Sequence, residues 1–571
     1  MGLFFTVPVS KGTGVDRRLG FVAALSALLL CGADGAPPPV EVTPTVAASS
    51  LYFVRYDHWT AEDERGFGEF LQSIGDSECR TVDSCLHGSG NPFRATDPDG
   101  IYFRADCADL PYELRFYYAW KRGLPFAYVS EVEPRGHTHD MRYTAKGNAV
   151  AERVTVQTGD SSGYAMMDTL RGAISSATYR IHPELEEPLP QDFYSPAITP
   201  KSIRPGTVIY DPNGHLATVY RVDPDGRVHY MDAHPDSSMT RGFYDLRFVR
   251  AYPAMGAGFK NWRSPVLVGA VRQRDGTLSG GHVVVPANKD IADFSVEQFY
   301  GNGARPEDSA WRDATFTLNK QALDYYDYVR ARLAGGALEF DPLKEVHDMV
   351  ESNCADLGYR ADAVKVAIAA GIMNAREPDR LPSNIYGTEG DWEVYSSPSR
   401  DARLKTAFKE LRDQVTRFMA LYQANDPKLK YKGQTLAVDM LTAYDRQAAL
   451  CRISYTRTDG AVISFGYEEA RRRLFAMSFD PYHCIERRWG ASDARELASC
   501  EDGAGKRAWY AAEQNLRNQL ERTYDVQMGF SLGELNAHVP GSGVAAPPDT
   551  DVRTYLWLMR NVGRGTKVGM R

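Results

Sequence analysis

This sequence lacks the features that mark several common protein classes. It has no run of lysine or arginine that points to nucleic acid and no long acidic tail, and 66 basic residues nearly balance 74 acidic ones. It contains no His-Glu-x-x-His or Cys-x-x-Cys motif and no phosphate-binding loop, so it predicts no metal and no cofactor. No second long apolar run follows Leu30, so we expect no transmembrane segment after signal cleavage. What remains is typical of a globular protein, with 43% hydrophobic and 25% charged residues.

The N-terminus has the order of residues that is typical of a secretory signal. Arg17 and Arg18 precede an apolar run over residues 19–30, and small residues and prolines follow. We therefore predict a signal peptide over residues 1–35 and a flexible leader over residues 36–50. The alternatives are an uncleaved anchor and a wrongly assigned start codon. Export would make the protein periplasmic or secreted.

The cysteines bear on the same prediction. Removal of the signal peptide takes Cys31 and leaves seven, so an oxidising compartment predicts at least one free thiol. One partition leaves Cys107 free and pairs the other six. Two of the pairs are close enough in sequence to form small loops: Cys79 with Cys85, and Cys484 with Cys500. Connectivity does not follow from spacing, so this partition is a hypothesis.

Composition and periodicity divide the rest of the chain into three parts. Residues 51–263 mix short helices, turns and alternating strands and contain many aromatic residues. Residues 264–306 are rich in glycine and partly extended, as in a linker. Over residues 307–571 helical periodicity dominates, with helix candidates that include residues 343–350 and 361–372. The predicted fold class is α+β, with a mixed domain followed by a mainly α-helical domain.

Cys107 is predicted to lie at the start of a helix. A turn signal at residues 97–100 precedes it, apolar residues follow at helical spacing, and Pro111 is tolerated only in the first turn of a helix. Unpaired N–H groups and the positive end of the helix dipole favour a thiolate there. We therefore expect this position to lower the pKa of the thiol. The alternative is a buried and inert cysteine that caps a helix.

His215 supplies the second half of a nucleophilic pair. It starts a predicted strand over residues 215–222, and a turn joins that strand to another over residues 227–233. An imidazole at this place can act as general base to a thiol and later as general acid to a leaving amine. We therefore predict a β-hairpin that carries the base.

The turn of this hairpin decides which residue orients the imidazole. If the residues that flank the turn at 223–226 pair directly, His215 faces His234 and shares its side of the hairpin with Asp232. Asp232 is then the predicted orienting group and His234 the alternative. A three-residue loop with a bulge would shift the register and put His229 on that side instead.

Three segments resemble two families of cell-wall hydrolases. Residues 106–110 (Asp-Cys-Ala-Asp-Leu) resemble the Asp-Cys-Ser-Gly-Leu segment around the nucleophile of NlpC-like peptidases, with Asp109 in place of the glycine. Residues 205–208 (Pro-Gly-Thr-Val) resemble the Pro-Gly-Asp-Leu strand that precedes their histidine. Residues 214–219 (Gly-His-Leu-Ala-Thr-Val) resemble the Gly-His-Val-Ala-Val-Val strand of CHAP amidases. The resemblance covers about residues 102–233.

The resemblance implies a papain-like fold, in which a helix that bears the cysteine packs on an antiparallel sheet. It also implies hydrolysis of an amide bond in a peptidoglycan peptide or a related peptide or cell-wall substrate. Cys107 would attack the carbonyl, His215 would carry the proton, and Asp232 or His234 would orient the ring. The oxyanion would be held by the backbone N–H of Cys107 and by Tyr102.

Two alternatives remain open. Residues 354–357 repeat Cys-Ala-Asp-Leu ahead of a predicted helix, which makes Cys354 an alternative nucleophile in a second or degenerate site. A structural cysteine at a capped helix explains the same repeat. The other alternative for the whole protein is a catalytically inactive papain-like binding or scaffold protein of the cell envelope.

Overall fold

The computed structural model describes residues 50–384, 390–521 and 528–564. The predicted signal peptide and residues 36–49 of the predicted leader lie outside the described residues. Within the described ranges, no helix is both long enough and apolar enough to cross a membrane.

The helices are spread over the whole described chain, and the longest lie in its C-terminal half. They are α1 Ala61–Asp76, α2 Val82–His87, α3 Leu110–Arg122, α4 Gly163–Ala173, α5 Ser176–Tyr179, α6 Glu297–Tyr300, α7 Tyr325–Leu333, α8 Pro342–Ala369, α9 Asp391–Tyr395, α10 Pro398–Ala424, α11 Leu436–Leu450, α12 Tyr467–Arg473, α13 Ile485–Arg488, α14 Ala504–Ala512, α15 Gln514–Asn518, α16 Leu532–Asn536 and α17 Val552–Met559.

The strands are concentrated before α7. They are β1 Ala127–Pro134, β2 Asn148–Thr155, β3 Phe193–Tyr194, β4 Val208–Asp211, β5 His215–Val222, β6 Val228–Ala233, β7 Met239–Phe243, β8 Gly258–Trp262, β9 Val266–Val268, β10 Val271–Arg272, β11 Leu278–Ser279, β12 His282–Val284, β13 Phe316–Leu318, β14 Gln321–Leu323, β15 Arg452–Thr456 and β16 Val462–Gly466. A six-stranded antiparallel sheet has the order β3-β8-β4-β5-β6-β7, and the other strands form antiparallel pairs.

The central sheet is buried on both faces. Tyr210 and Leu216 belong to the hydrophobic cluster that contains residues of α1 and α3. Ile209 and Val219 point to the other face and pack in a cluster with residues of α7. Because side chains alternate along a strand, the middle of the hairpin presents apolar residues to both sides. This explains why β4 and most of β5 read as continuous apolar runs.

The helix that follows Cys107 is embedded in this core. Residues 110–121 of α3 are all buried, and Pro111 occupies its first turn as predicted. Gly123 ends the helix with a φ of 70°, a left-handed conformation that glycine adopts without strain. Burial along nearly its whole length fixes α3 against the sheet and, with it, the turn that carries Cys107.

The predicted hairpin of β5 and β6 is confirmed, but it does not close with the predicted pairing. Val222 pairs with Val228 rather than with Arg227. The N–H of Asp223 donates to the carbonyl of Arg227 at 2.8 Å, and Gly226 has a φ of 82°. The hairpin therefore closes through a three-residue loop, which is the alternative that would shift the register.

A bulge in β5 at Tyr220 then restores the predicted register toward the start of the strand. Asp232 therefore lies on the same side of the hairpin as His215, although the turn is not the one expected. His229, the candidate of the shifted register, instead contacts Asp223, with 2.8 Å between its Nε2 and a carboxylate oxygen. The loop and the bulge compensate for each other.

The C-terminal region is helical, and α8, α10 and α11 share one hydrophobic cluster that includes Val350, Leu411 and Met440. The two helices predicted at residues 343–350 and 361–372 form the single helix α8. A mixed fold with antiparallel sheets and a helical C-terminal region is thereby confirmed, whereas the domain boundaries at residues 263 and 307 stay a prediction.

The cysteines divide as the partition predicted. Disulfides join three pairs: Cys79 with Cys85, Cys354 with Cys451, and Cys484 with Cys500. Within the described part of the chain, Cys107 is the free cysteine. Disulfides persist in oxidising compartments, so this pattern is compatible with an exported protein.

Candidate active site

The turn that carries Cys107 is held by two aspartates. The Asp106 carboxylate accepts hydrogen bonds from the backbone N–H groups of Ala108 at 2.7 Å and Asp109 at 3.3 Å. In return, Oδ1 of Asp109 accepts from the N–H of Asp106 at 2.6 Å. This reciprocal arrangement is an all-aspartate form of the capping box and places Cys107 directly ahead of α3. Asp109 therefore has a structural role where the NlpC-like segment has glycine.

The Cys107 sulfur contacts the backbone at the start of β5. It donates to the carbonyl of Gly214 at 3.8 Å, and the N–H of Leu216 donates to it. Across the described residues, no hydrogen bond joins this sulfur to the ring of His215. The thiol therefore lies beside the backbone of the histidine's strand, and both side chains line one cleft.

The expected lowering of the thiol pKa is wrong for this arrangement. Burial, followed by the negative charge of Asp106, raises the pKa of Cys107 well above its ordinary value. The helix dipole does not prevail, because the carboxylates of Asp106 and Asp109 already occupy the N–H groups of the turn. The resting group is a thiol rather than a thiolate.

Asp232 contacts the histidine, as predicted. Nε2 of His215 lies 2.6 Å from Oδ2 of Asp232, and the hydroxyl of Thr240 donates to the other carboxylate oxygen. His234, the alternative orienting group, stacks on His215 with 5.6 Å between ring centroids. Its Nε2 lies 3.2 Å from the Thr240 hydroxyl. Asp232 is therefore the residue that holds the ring, and His234 packs beside the pair.

The charges of this pair favour a neutral ring next to an ionised carboxylate. Burial, and then the positive charge of Arg403, lower the pKa of His215 despite its bond to Asp232. Burial acts to raise the pKa of Asp232, but the hydrogen bond from His215 and the neighbouring positive charge hold it below its ordinary value. Because Nε2 donates to the carboxylate, the ring keeps its lone pair on Nδ1. Such a ring can accept a proton.

The cleft that contains Cys107 and His215 is walled by the helical C-terminal region. It has a volume of about 140 Å³, and Arg400 and Arg403 from α10 line it together with Arg142. Arg400 is 3.3 Å from Asp236, and Arg142 is 2.9 Å from Glu393. Three arginines therefore line the cleft, and a carboxylate that entered it would compete with Asp236 and Glu393 for two of them.

The structure does not place Tyr102 at this cleft, so its predicted oxyanion role is wrong. Its side chain is 61% exposed, because the neighbouring Phe103 takes the buried position of this extended segment. Tyr143 and Ser176 line the cleft, and their hydroxyls lie beside Gly214. They are 3.1 and 3.3 Å from the point where a Cβ on Gly214 would stand. Tyr143 and Ser176 are therefore the polar side chains at this end of the cleft.

The alternative nucleophile is also wrong. Cys354 lies in the middle of α8 and is bonded to Cys451, so its sulfur is not a thiol. The apparent cap ahead of it does not act as one, because the buried Asn353 donates to the hydroxyl of Tyr467 at 3.0 Å. The helix begins much earlier, at Pro342, where Asp341 caps it.

Sequence reasoning missed several residues of the site, and Thr240, Arg400 and Arg403 show why. Thr240 had a signal, since β7 continues the hairpin into a third strand and pairs Thr240 with Asp232. The sequence contains no signal for Arg400 and Arg403, because they lie on a helix whose contact with the hairpin no local pattern predicts.

Comparisons with known proteins give no relative: no family model, no curated protein and no solved structure matches the chain. The resemblance to papain-like hydrolases therefore depends on the segments within residues 102–233 and on the geometry around Cys107 and His215.

Proposed function

We propose that this protein is a thiol hydrolase that cleaves an amide bond, with peptidoglycan peptides or related amides as its substrates. The observation that carries the proposal is one free thiol, Cys107, in the same cleft as a His215–Asp232 pair joined at 2.6 Å. Burial of α3 against an antiparallel sheet agrees with a papain-like arrangement. The NlpC-like and CHAP-like segments supply the substrate class.

Catalysis in this proposal begins with a proton transfer. Nδ1 of His215 takes the proton of Cys107 as the sulfur attacks the amide carbonyl, and Asp232 stabilises the imidazolium. The C–N bond then breaks, and the amine leaves with the proton from the ring. Water, deprotonated by the same ring, hydrolyses the thioester and restores the thiol. The backbone N–H of Cys107 is a donor to the oxyanion.

The sulfur must first leave its resting partners. It bonds the carbonyl of Gly214 at 3.8 Å instead of the imidazole, so attack requires it to turn toward Nδ1 of His215. Catalytic hydrogen bonds often tighten only when substrate is bound. The proposal therefore predicts a thiol that reacts slowly in the free protein.

The same resting geometry favours a second candidate, a catalytically inactive papain-like protein that binds the cell envelope. A partly buried thiol with a raised pKa and no bond to the imidazole is also expected of a cysteine that has lost its catalytic role. In that case the cleft with Arg400 and Arg403 would bind a carboxylate without cleaving it.

Hydrolysis of purified peptidoglycan sacculi and of a panel of stem-peptide amides separates the two. The wild type should release new amines, and Cys107→Ala and His215→Ala should each lower the rate at least about 10³-fold. His229→Ala is the matched control, because it removes a histidine of the same hairpin that faces away from the cleft. If no amide is cleaved and Cys107→Ala binds sacculi as well as the wild type, the protein is a binding module.

A further inference from the structure

A second cluster of chemically active side chains lies in the helical C-terminal region and shares no residue with the Cys107 cleft. Asp480 and His483 come from the loop between α12 and α13, and Glu513 ends α14. Glu377 comes from the segment that follows α8. All four are buried: Glu377 is 9% exposed and the other three are 0% exposed.

In the part of the chain that the structure describes, five of the six carboxylate oxygens of this cluster lack a hydrogen-bond donor. Within the described residues, neither carboxylate oxygen of Glu377 or of Glu513 has a donor, and neither does Oδ2 of Asp480. The Asp480 carboxylate is also in contact with both glutamates. Buried charges without partners are strongly unfavourable, so three converging carboxylates require either protons or a cation.

Among the described residues, the nearby basic side chains form one ion pair with the cluster. Arg517 lies 3.6 Å from Glu513 and offsets one charge. Lys506 instead donates to two backbone carbonyls, and Arg488 donates to a backbone carbonyl and a serine hydroxyl. Within the described residues, Glu377 and Asp480 are therefore left without an ion-pair partner of their own, which is the situation that a bound cation relieves.

The orientation of His483 fits a metal ligand. Its Nε2 donates to the carbonyl of Lys506 at 3.0 Å, so the lone pair is on Nδ1, 2.7 Å from the Ser478 hydroxyl. A ring N–H bound to a backbone carbonyl is the usual way in which proteins fix a metal-binding histidine. Asp480 is fixed in a similar way, because its Oδ1 accepts from the N–H of Tyr482 at 2.7 Å.

We propose that Glu377, Asp480 and His483 bind a divalent transition-metal ion, for which Zn²⁺ is the best match. One ligand atom from each of the three lies within 4.8 Å of the others. Ligands at about 2.0–2.2 Å from zinc stand about 3–4 Å apart, so small side-chain shifts complete the site. The metal would displace the Ser478 hydroxyl from Nδ1 of His483.

The donor set selects among metals. An imidazole nitrogen with carboxylate oxygens suits zinc, whereas calcium and magnesium prefer oxygen ligands alone. The ion would tie the segment after α8 to the loop between α12 and α13, next to the disulfide of Cys484 with Cys500. Its role in this inference is structural.

The chain contains a matched control for this site. His347, Asp348 and Glu351 also bring three ligand atoms together, but they lie on the surface of α8, and Glu351 is exposed. Asp348 is already paired with Arg227 at 2.6 Å. This trio therefore has no buried, unpartnered charge and is expected to hold no tightly bound metal.

The test uses the full chain, stripped with a chelator and then titrated with Zn²⁺ in competition with a zinc dye. The wild type should bind one equivalent tightly, and chelator should lower its thermal midpoint. Asp480→Asn and Glu377→Gln should each weaken binding at least about 100-fold and make the midpoint insensitive to chelator. Glu351→Gln should change neither result. Asn at position 480 can still accept from Tyr482, which protects folding.

Two outcomes would overturn the inference. Folded wild type that binds no Zn²⁺, together with a higher thermal midpoint for Glu377→Gln in metal-free buffer, would mean that the carboxyls hold protons. Binding of Ca²⁺ but not Zn²⁺, unaffected by His483→Ala, would mean that the imidazole is not a ligand. Neither outcome bears on Cys107, so failure here is distinct from failure of the proposed hydrolase.

Discussion

The tetrapeptide Cys-Ala-Asp-Leu occurs twice in this chain and folds differently each time. At residues 107–110 it forms a capped turn ahead of α3, beside the strand of His215. At residues 354–357 it lies inside α8, and its cysteine is in a disulfide. Four identical residues thus give a free thiol in a cleft in one place and a covalent cross-link in the other.

The flanking residues account for the difference. Asp106 precedes the first copy and caps the turn through its carboxylate, and Pro111 follows it and starts the helix. The second copy is preceded by residues that are already helical from Pro342 onward. A polar residue ahead of a helical pattern is a cap only if the chain before it is not helical. A short motif therefore predicts a nucleophile only when the residues that flank it are considered as well.

Loss of the orienting carboxylate, which serves the site of the first copy, should have the largest effect. Asp232→Asn removes the charge that holds the imidazole of His215, and we expect the hydrolysis rate to fall at least about 10²-fold. Asp356→Asn changes the aspartate of the second copy, which pairs with Arg247 at 3.1 Å, and should leave the rate unchanged. Equal losses in both variants would mean that the effect is general destabilisation.

Cys107 matters more for activity, but the cysteine of the second copy, Cys354, should matter more for stability. Replacing Cys354 and Cys451 by alanine removes a link between positions 97 residues apart, and we expect the free energy of unfolding to fall by about 2–5 kcal/mol. Cys107→Ala removes one partly buried thiol and should cost at most about 1 kcal/mol. Urea unfolding of the oxidised proteins measures both. A larger loss for Cys107→Ala would make that cysteine a core residue rather than a site residue.

The aspartates of the two copies should give the smallest difference, which appears only as a function of pH. Burial and the neighbouring Asp106 raise the pKa of Asp109 to about 9, whereas that of Asp356 rises to about 6. A carboxyl with a raised folded pKa keeps a proton that the unfolded chain releases, so stability falls as pH rises from about 4 toward the folded value.

Asp109→Asn should therefore flatten the decline of stability above about pH 6, by about 1–2 kcal/mol, because asparagine still accepts from the N–H of Asp106. Asp356→Asn should flatten the decline of stability only below about pH 6, the folded pKa of Asp356. Urea midpoints across this range provide the measurement, and identical slopes for both variants and the wild type would show that Asp109 is ionised.

Part of the fold and of the site could be predicted because the signals are local. Strand alternation and the turn residues predicted the hairpin, and the disulfide partition followed from counting cysteines. The pairing of Asp232 with His215 was predicted, although the turn closes in the alternative way, through a three-residue loop. The physical reason is that each apolar residue of β5 must stay on the same buried face of the sheet. The three-residue loop shifts the register by one residue, and the bulge at Tyr220 shifts it back.

The rest depended on distant packing. The raised pKa of Cys107 reflects burial and Asp106, which a dipole argument from sequence does not include. Arg400 and Arg403 reach the cleft from α10, and the sequences of the strands do not predict their presence there. Tyr102 faces solvent because Phe103 competes for the same core. Each of these features depends on which side chains are buried in the folded protein. Local sequence patterns do not determine that.

Covalent trapping by a peptidyl chloromethyl ketone tests most directly whether Cys107 is a nucleophile served by His215. We expect mass spectrometry of the native oxidised chain to show one adduct, on Cys107, formed much more slowly in His215→Ala and at the wild-type rate in His229→Ala. Cys107 that is alkylated equally fast in wild type and His215→Ala would contradict this account, as would a wild type in which the peptidyl reagent does not alkylate Cys107.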